Sequence, residues 1–422
     1  MIRLDATADT FAAEFTRLVE ARRDTDEDVS RDVAGILARV RDEGDVAVAE
    51  LTEKFDGHAL DWRIAASDCQ AALDGLDPEL RGALELAAQR ITSFHEGQRP
   101  VDKDVTDTLG VRLGARWGAV EAAGIYVPGG RAAYPSSVLM NAIPAKVAGV
   151  DRLVMVTPTP GGEANPLVLA AAALAGVDEV WRIGGAQAVA ALAYGTATIA
   201  PVDVITGPGN AWVAEAKRQL YGRVGIDMVA GPSEILVVAD AANDPAWIAA
   251  DLLSQAEHDP TSQSILMTND AGFADRVAAA VEAQLADLGD AARQSWDAHG
   301  AIILLERLGD APALIDRLAP EHLELAVADP DSFFARVRHA GSVFLGRHTP
   351  EAMGDYLAGP NHVLPTGRRA RFSSGLSVTD FMKRTSFISC PASALPALGP
   401  AAIALANAEG LPAHARSVAI RL

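Results

Sequence analysis

Apolar residues recur about every 3.6 positions through the first hundred residues, in DVSRDVAGILARVRDEGDVAVAELTEKFDG and DPELRGALELAAQRITSFHEGQRP, with glycine or proline at the ends. That spacing predicts amphipathic helices. From about Gly118 the pattern changes to short β-branched runs alternating with Ala-rich stretches. AVEAAGIYVPGG reads as a strand entering a glycine turn, and RLVMVTP (152–158) as a strand before the helix PLVLAAAALAGV. DEVWRIGG (178–185) leads into the helix AQAVAALAYG, and VDVITGPGN (202–210) into AWVAEAKRQLYG. A second round runs from GPSEILVVAD (231–240) through a helix from Asp244-Pro245 to about His258. It continues with QSILMTND, a long helix to Leu288, AIILLE (301–306) and AGSVFLG (340–346). Strand–helix repetition predicts parallel sheets covered on both faces. After about Phe372 the chain is Pro- and Ala-rich, expected to be helical and to close on a strand, SVAIRL. It is too small for a core of its own and fits an arm docked on another surface.

A length of 422 residues with 49% apolar content allows two or three domains of a soluble globular protein. The net charge of −20 argues against nucleic acid and against an anionic membrane surface, which leaves small molecules as partners. Cys69 and Cys390 stand far apart without partner motifs, and the N-terminus lacks an apolar signal core, so the expected location is cytoplasmic. The uncharged stretch Ile183 to Val202 holds three glycines and a proline, and reads as a buried strand–turn–helix rather than a membrane span.

Four of the nine histidines sit near a carboxylate or carboxamide, all in the C-terminal half: Gln255/Glu257/His258, Glu321/His322, Asp355/His362 and Glu409/His414. Mixed nitrogen and oxygen ligands suit a zinc site that keeps room for substrate. Gln255 and His258, three apart at a helix end, share a face, although a capping His beside an exposed Gln would look the same. Asp355 and His362 flank a Gly-rich stretch expected as a loop at a strand's carboxyl end, where α/β sheets bind ligands. Taken singly, such residues more often turn a loop and face water. Glu321-His322 in APEHLEL is the best acid/base pair, with a helix cap as its plainer alternative. Glu409 and His414 flank a turn made by Gly410 and Pro412, where a solvated histidine is the commoner outcome. The turns GIYVPGG, GGAQ, GPGN and GPSE follow predicted strands, but none is a GxGxxG with an acidic residue about twenty positions on.

Taken in order, GIYVPGGRAAYPSSVLMNAIPAKVAGV, GGAQAVAALAYGT, TGPGNAWVAEAKRQL, IDMVAGPSEILVVAD, DLLSQAEHDPTSQSILMT, LAPEHLEL, AGSVFLGRHTPEAMGDYLAGPNHVLPT and SGLSVTDFMKR resemble the histidinol dehydrogenases over nearly the whole chain. The resemblance implies oxidation of L-histidinol to L-histidine through the aldehyde, the end of histidine biosynthesis, with two NAD⁺ and one Zn²⁺ per subunit. It implies Gln255, His258, Asp355 and His414 as zinc ligands, and Glu321 and His322 as the catalytic pair. Ser233, His362 and Glu409 become substrate contacts beside His322 and the ligands, and Tyr126, Gln187 and Asn210 become NAD positions. It also implies a homodimer whose C-terminal segment carries Glu409 and His414 into the partner's site.

The expected fold class is α/β, with two incomplete Rossmann-like parallel-sheet domains, a helical N-terminal segment and a small C-terminal arm domain. The expected division is 1–20 as that segment, 21–120 plus 233–372 as the metal-bearing domain, 121–232 as the NAD side and 373–422 as the arm. The competing readings are a related zinc and NAD dehydrogenase of another small polar alcohol, a zinc hydrolase, and a non-catalytic binding protein. NAD-linked absorbance change and a substrate panel separate them.

Overall fold

The structure is a computed structural model that describes residues 1–21, 27–129 and 133–422. In chain order the strands are Ile2–Asp5 (β1), Arg63–Ile64 (β2), Lys103–Thr106 (β3), Arg112–Ala119 (β4) and Ala122–Tyr126 (β5). Arg152–Val156 (β6), Glu179–Trp181 (β7), Val204–Thr206 (β8), Gly225–Ile226 (β9) and Glu234–Ala239 (β10) follow. Gln263–Thr268 (β11), Ala301–Leu304 (β12), His322–Ala326 (β13), Ser342–Leu345 (β14) and Met382–Ser389 (β15) complete the set.

One six-stranded sheet, all parallel, has the order β1-β12-β11-β10-β13-β14. A second has the order β2-β7-β6-β5-β8-β9, parallel except where β2 joins β7. Central strands are buried on both faces, as in AAGIY, QSILMT and HLELA, because helices cover each side. The helices Pro245–Ala256, Pro78–Glu96 and Pro166–Leu174 all begin on an Asp or Asn cap followed by proline. In the first of them Asp244 accepts from the Ala246 N–H at 2.8 Å. The apolar stretch Ile183 to Val202 contains the buried helix Gly185–Tyr194, and no helix among the described residues is long and apolar enough to cross a membrane.

The α/β class with parallel-sheet domains is as expected, but several elements depart from the expected plan. Ile2–Asp5 is not helical: it is the edge strand beside β12, in register Ile2↔Ala301. The helices between residues 27 and 96 were expected with the metal-bearing sheet. They pack on the other one, Glu27–Glu43 and Asp45–Asp56 against one face and Ala66–Asp74 and Pro78–Glu96 against the other. An amphipathic helix states that one face is buried, not against which sheet. The strands β3, β4 and β15 form a third, antiparallel sheet, with Met382↔Ala119 and Ser389↔Arg112 in register. The tail also ends otherwise than expected: SVAIRL is not a strand, since Pro412–Ala419 is a helix packed on Leu395–Ala408. Pro412 at the first helical position favours that start, and no neighbouring strand pairs with the segment among the described residues.

His95 is fully buried at the end of Pro78–Glu96, with Nδ1 2.8 Å from the Ile91 carbonyl and Nε2 3.4 Å from the Asn361 amide nitrogen. Burial lowers its pKa. A histidine with a depressed folded pKa contributes full stability above the unfolded value of about 6.5, and loses it as pH falls towards the folded pKa. We therefore expect an acid-side loss worth about 1.4 kcal/mol per unit of depression. His95→Gln should flatten the slope of unfolding free energy between pH 7 and 5, and an unchanged slope would remove His95 from the account.

Candidate active site

The expected catalytic residues meet at the amino edge of the first sheet, not at the carboxyl edge where the Asp355–His362 stretch was expected to lie. The reason is that Pro245–Ala256 and Glu351–Tyr356 run back from β10 and β14, so their last turns reach the start of the strands. Asp355 accordingly sits in a helical turn and not in a loop. Glu321 and His322 are not a helix cap. Ala319, held at φ 47° and fully buried, ends the helix Ala311–Leu318, and the chain then enters β13 at His322.

Register fixes the pair. Ile235 lies opposite His322, so the backbone of Glu234 meets both residues. The Glu234 N–H donates to Glu321 Oε2 at 2.9 Å, and His322 Nδ1 lies 3.1 Å from the Glu234 carbonyl. A carbonyl only accepts, so Nδ1 carries the hydrogen and Nε2 presents a lone pair. Nε2 is buried with no hydrogen-bond partner among the described residues. Burial lowers the His322 pKa to about 4, against the opposing pull of Asp355, so the ring is neutral at neutral pH. Burial pushes the Glu321 carboxyl well above the usual range, and the nearby Glu234, Glu351 and Asp355 carboxylates add to the shift. A bound cation would draw it back down.

Gln255, in the last turn of Pro245–Ala256, is buried, and its Oε1 lacks a partner among the described residues. His258 follows in the turn, its N–H bonded to the Gln255 carbonyl at 3.3 Å. It is exposed, yet close enough to act electrostatically on His322 and His362. His362 Nδ1 lies 3.1 Å from the Asp355 carbonyl and 3.8 Å from its Oδ1, and burial lowers its pKa. Ser233 stands just before β10, its carbonyl accepting from the Gln263 N–H at 2.9 Å. The orphaned Gln255 carboxamide oxygen, the His258 imidazole and the Asp355 carboxylate are donor types that fit zinc. Glu409 and His414 are not brought there within one chain. Glu409 caps Leu395–Ala408, His414 lies in Pro412–Ala419, and both are exposed.

The structure adds groups that spacing did not reveal. His322, Glu351 and Asp355 each place one ligand-type atom within 4.8 Å of the others, a trio that shares only Asp355 with the expected ligands. Glu351 Oε1 is 3.4 Å from His322 Nδ1, Ser254 Oγ donates to Glu351 Oε2 at 3.0 Å, and the Glu351 N–H donates to Glu324 Oε1 at 2.6 Å. Burial drives both Glu324 and Glu351 well above the carboxylate range, and pushes Asp251 up to about 6. Glu324 carried a readable signal, a carboxylate inside the otherwise apolar run HLELA. Glu351, just after Pro350, looks like any acidic residue at a helix start.

Tyr126, Gln187 and Asn210 lie at the carboxyl edge of the second sheet. The chain runs β5, β6, β7 outward and then returns to place β8 beside β5, which makes a topological switch point there. Tyr126 ends β5, its hydroxyl accepting from the Gly185 N–H at 3.0 Å. Gln187 is buried in the first turn of Gly185–Tyr194, and Asn210 Oδ1 caps Ala211–Leu220 through Trp212 and Val213. Thr206 Oγ1, at the end of β8, is buried with no partner among the described residues. The last glycine of GIYVPGG, Gly130, lies outside the described residues. This edge faces the first: Tyr134, in the connection after β5, senses Asp259, and Tyr356 senses both Asp355 and Tyr134. Cys69 and Cys390 are both free.

A family model described as histidinol dehydrogenase matches residues 19–422. The chain is 65% identical to a histidinol dehydrogenase of Zymomonas mobilis over 427 aligned residues, covering 100% of this chain and 99% of that one. It is 63% identical to a histidinol dehydrogenase of Rhodospirillum rubrum, covering 100% and 98%. A crystal structure of histidinol dehydrogenase from Elizabethkingia anophelis superposes with a TM-score of 0.94 at 37% identity, covering 100% of this chain and 98% of the other. By sequence, fold and the order of its motifs, the chain belongs to the histidinol dehydrogenase family of oxidoreductases.

Proposed function

We propose that the protein is a cytoplasmic enzyme of histidine biosynthesis that oxidises L-histidinol to L-histidine through the aldehyde, with two NAD⁺ and one zinc ion per subunit. The observation that carries this reading is the amino-edge pair. A neutral His322 whose Nε2 has no partner among the described residues stands beside Glu321. Gln255, His258, Asp355 and the His414 of a second copy would hold zinc, which would supply a cationic anchor for the substrate, and the Tyr126–Gln187–Asn210 edge would hold NAD⁺, which would supply the hydride acceptor.

His322 Nε2 removes the hydroxyl proton in the first oxidation, with Nδ1–H held by the Glu234 carbonyl. Glu321 in its carboxylate form takes a proton from the water that adds to the aldehyde. Ser233, His362 and Glu409 orient the amino alcohol. Glu321, His322 and Gln255 are buried, which favours keeping the aldehyde from bulk water between the steps.

The test counts product. NADH formed per L-histidinol consumed is expected to be near two by the reaction's four-electron balance, and to vanish when a chelator removes the metal and return when zinc is restored. A ratio near one, or turnover indifferent to chelation, would overturn the proposal.

A further inference from the structure

Lys217 and Asp227 form an ion pair whose side chains are 2% and 1% exposed. Both partners also grip one residue. Lys217 Nζ donates to the Gly207 carbonyl at 2.9 Å, and the Gly207 N–H donates to Asp227 Oδ2 at 2.8 Å. Asp227 Oδ1 accepts from the Met228 N–H at 2.6 Å, which fixes the carboxylate to its own strand connection. Gly207 is held at φ 110°, and a Cβ there would lie 2.1 Å from the Tyr126 carbonyl oxygen, so no other residue fits this approach.

A buried ion pair is weak support for stability, because desolvation offsets most of the attraction. Such pairs are best understood where they set a register, and this one sets the turn Gly207–Asn210 between β8 and its helix. That turn joins Asn210 to the strand beside Tyr126. We propose that Lys217 and Asp227 are positioning residues that lock this turn in the shape that receives the dinucleotide. The inference rests on the function proposed above.

The experiment uses the full-length, zinc-loaded protein and three readouts: the NAD⁺ dissociation constant by titration calorimetry, zinc content, and thermal midpoint. The double variant Lys217→Met/Asp227→Leu removes both charges together, so its midpoint should fall less than that of either single variant, which leaves one buried charge unpaired, although the Gly207 and Met228 backbone groups lose their partners. Its NAD⁺ dissociation constant should rise about tenfold, the factor expected if the turn keeps its competent shape a tenth of the time, with zinc content unchanged. A purely structural pair would give recovered stability and unchanged NAD⁺ affinity together, which would overturn the proposal. If the double variant does not fold, Asp227→Asn decides by the same constant: a rise at full zinc content supports the clamp, and wild-type affinity overturns it. Absence of NAD⁺ binding to the wild-type protein would overturn the proposed function as well, which separates that failure from the clamp's own.

Discussion

Glu321→Gln should slow oxidation of the aldehyde by about 10²–10⁴-fold, the usual loss for a positioned general base, while alcohol oxidation falls much less. The amide keeps the volume of the carboxyl and can still accept the Glu234 N–H that now binds Oε2 at 2.9 Å, so β10 and β13 stay joined. It cannot take a proton from water. His322, the proposed base for the alcohol step, retains its contact with the Glu234 carbonyl. Supplying L-histidinol and L-histidinaldehyde separately, and following NADH in each half-reaction, reads the difference. Equal losses in both would mean that Glu321 acts on geometry or on metal retention and not on water. Glu351 supplies an internal control, since its Oε1 also approaches His322 Nδ1, at 3.4 Å. Its removal should disturb the histidine, and with it the alcohol step, more than the water step.

The parts of the fold legible in the sequence were those built from strong local signals. The runs EILVVA and RLVMV, and the Asp-Pro starts of helices, state their own secondary structure. What the sequence withheld was partnership. β4 is exposed along much of its length and interrupted by Gly114 and Gly118, and it is completed by Met382–Ser389, more than two hundred residues later. The helices of residues 27–96 show a buried face without naming the sheet it covers. β13 escaped because its polar opening, Glu321-His322, follows a proline and resembles a cap. The site divides in the same way. Proximity in sequence singled out Gln255 with His258 and Glu321 with His322, whereas the meeting of these pairs with Asp355 and His362 depends on helices returning to one edge. Glu351 and Glu324 became visible only through that return.

Two inactive variants should restore each other. His322→Ala removes the proposed base from the body of the subunit, and His414→Ala removes the proposed ligand from its arm. Each alone should leave little turnover, the first by the same 10²–10⁴-fold argument and the second through loss of metal. The arm has almost no interior of its own: Gly399 and Ala415 are the buried residues of its two helices, while Leu405 and Ile420 are 66% and 71% exposed. An apolar surface of this kind is expected to be covered by a partner. Under two-fold symmetry each proposed site takes its body from one chain and its arm from the other. A mixed dimer then holds one site with both lesions and one with none. Random reassortment of equal amounts makes half the dimers mixed, so roughly a quarter of the sites should regain full turnover. Co-refolding or co-expression of the two variants, with activity measured per subunit, gives the number. No recovery, with mixed dimers confirmed by differently tagged chains, would place His414 outside the site and end the shared-site reading.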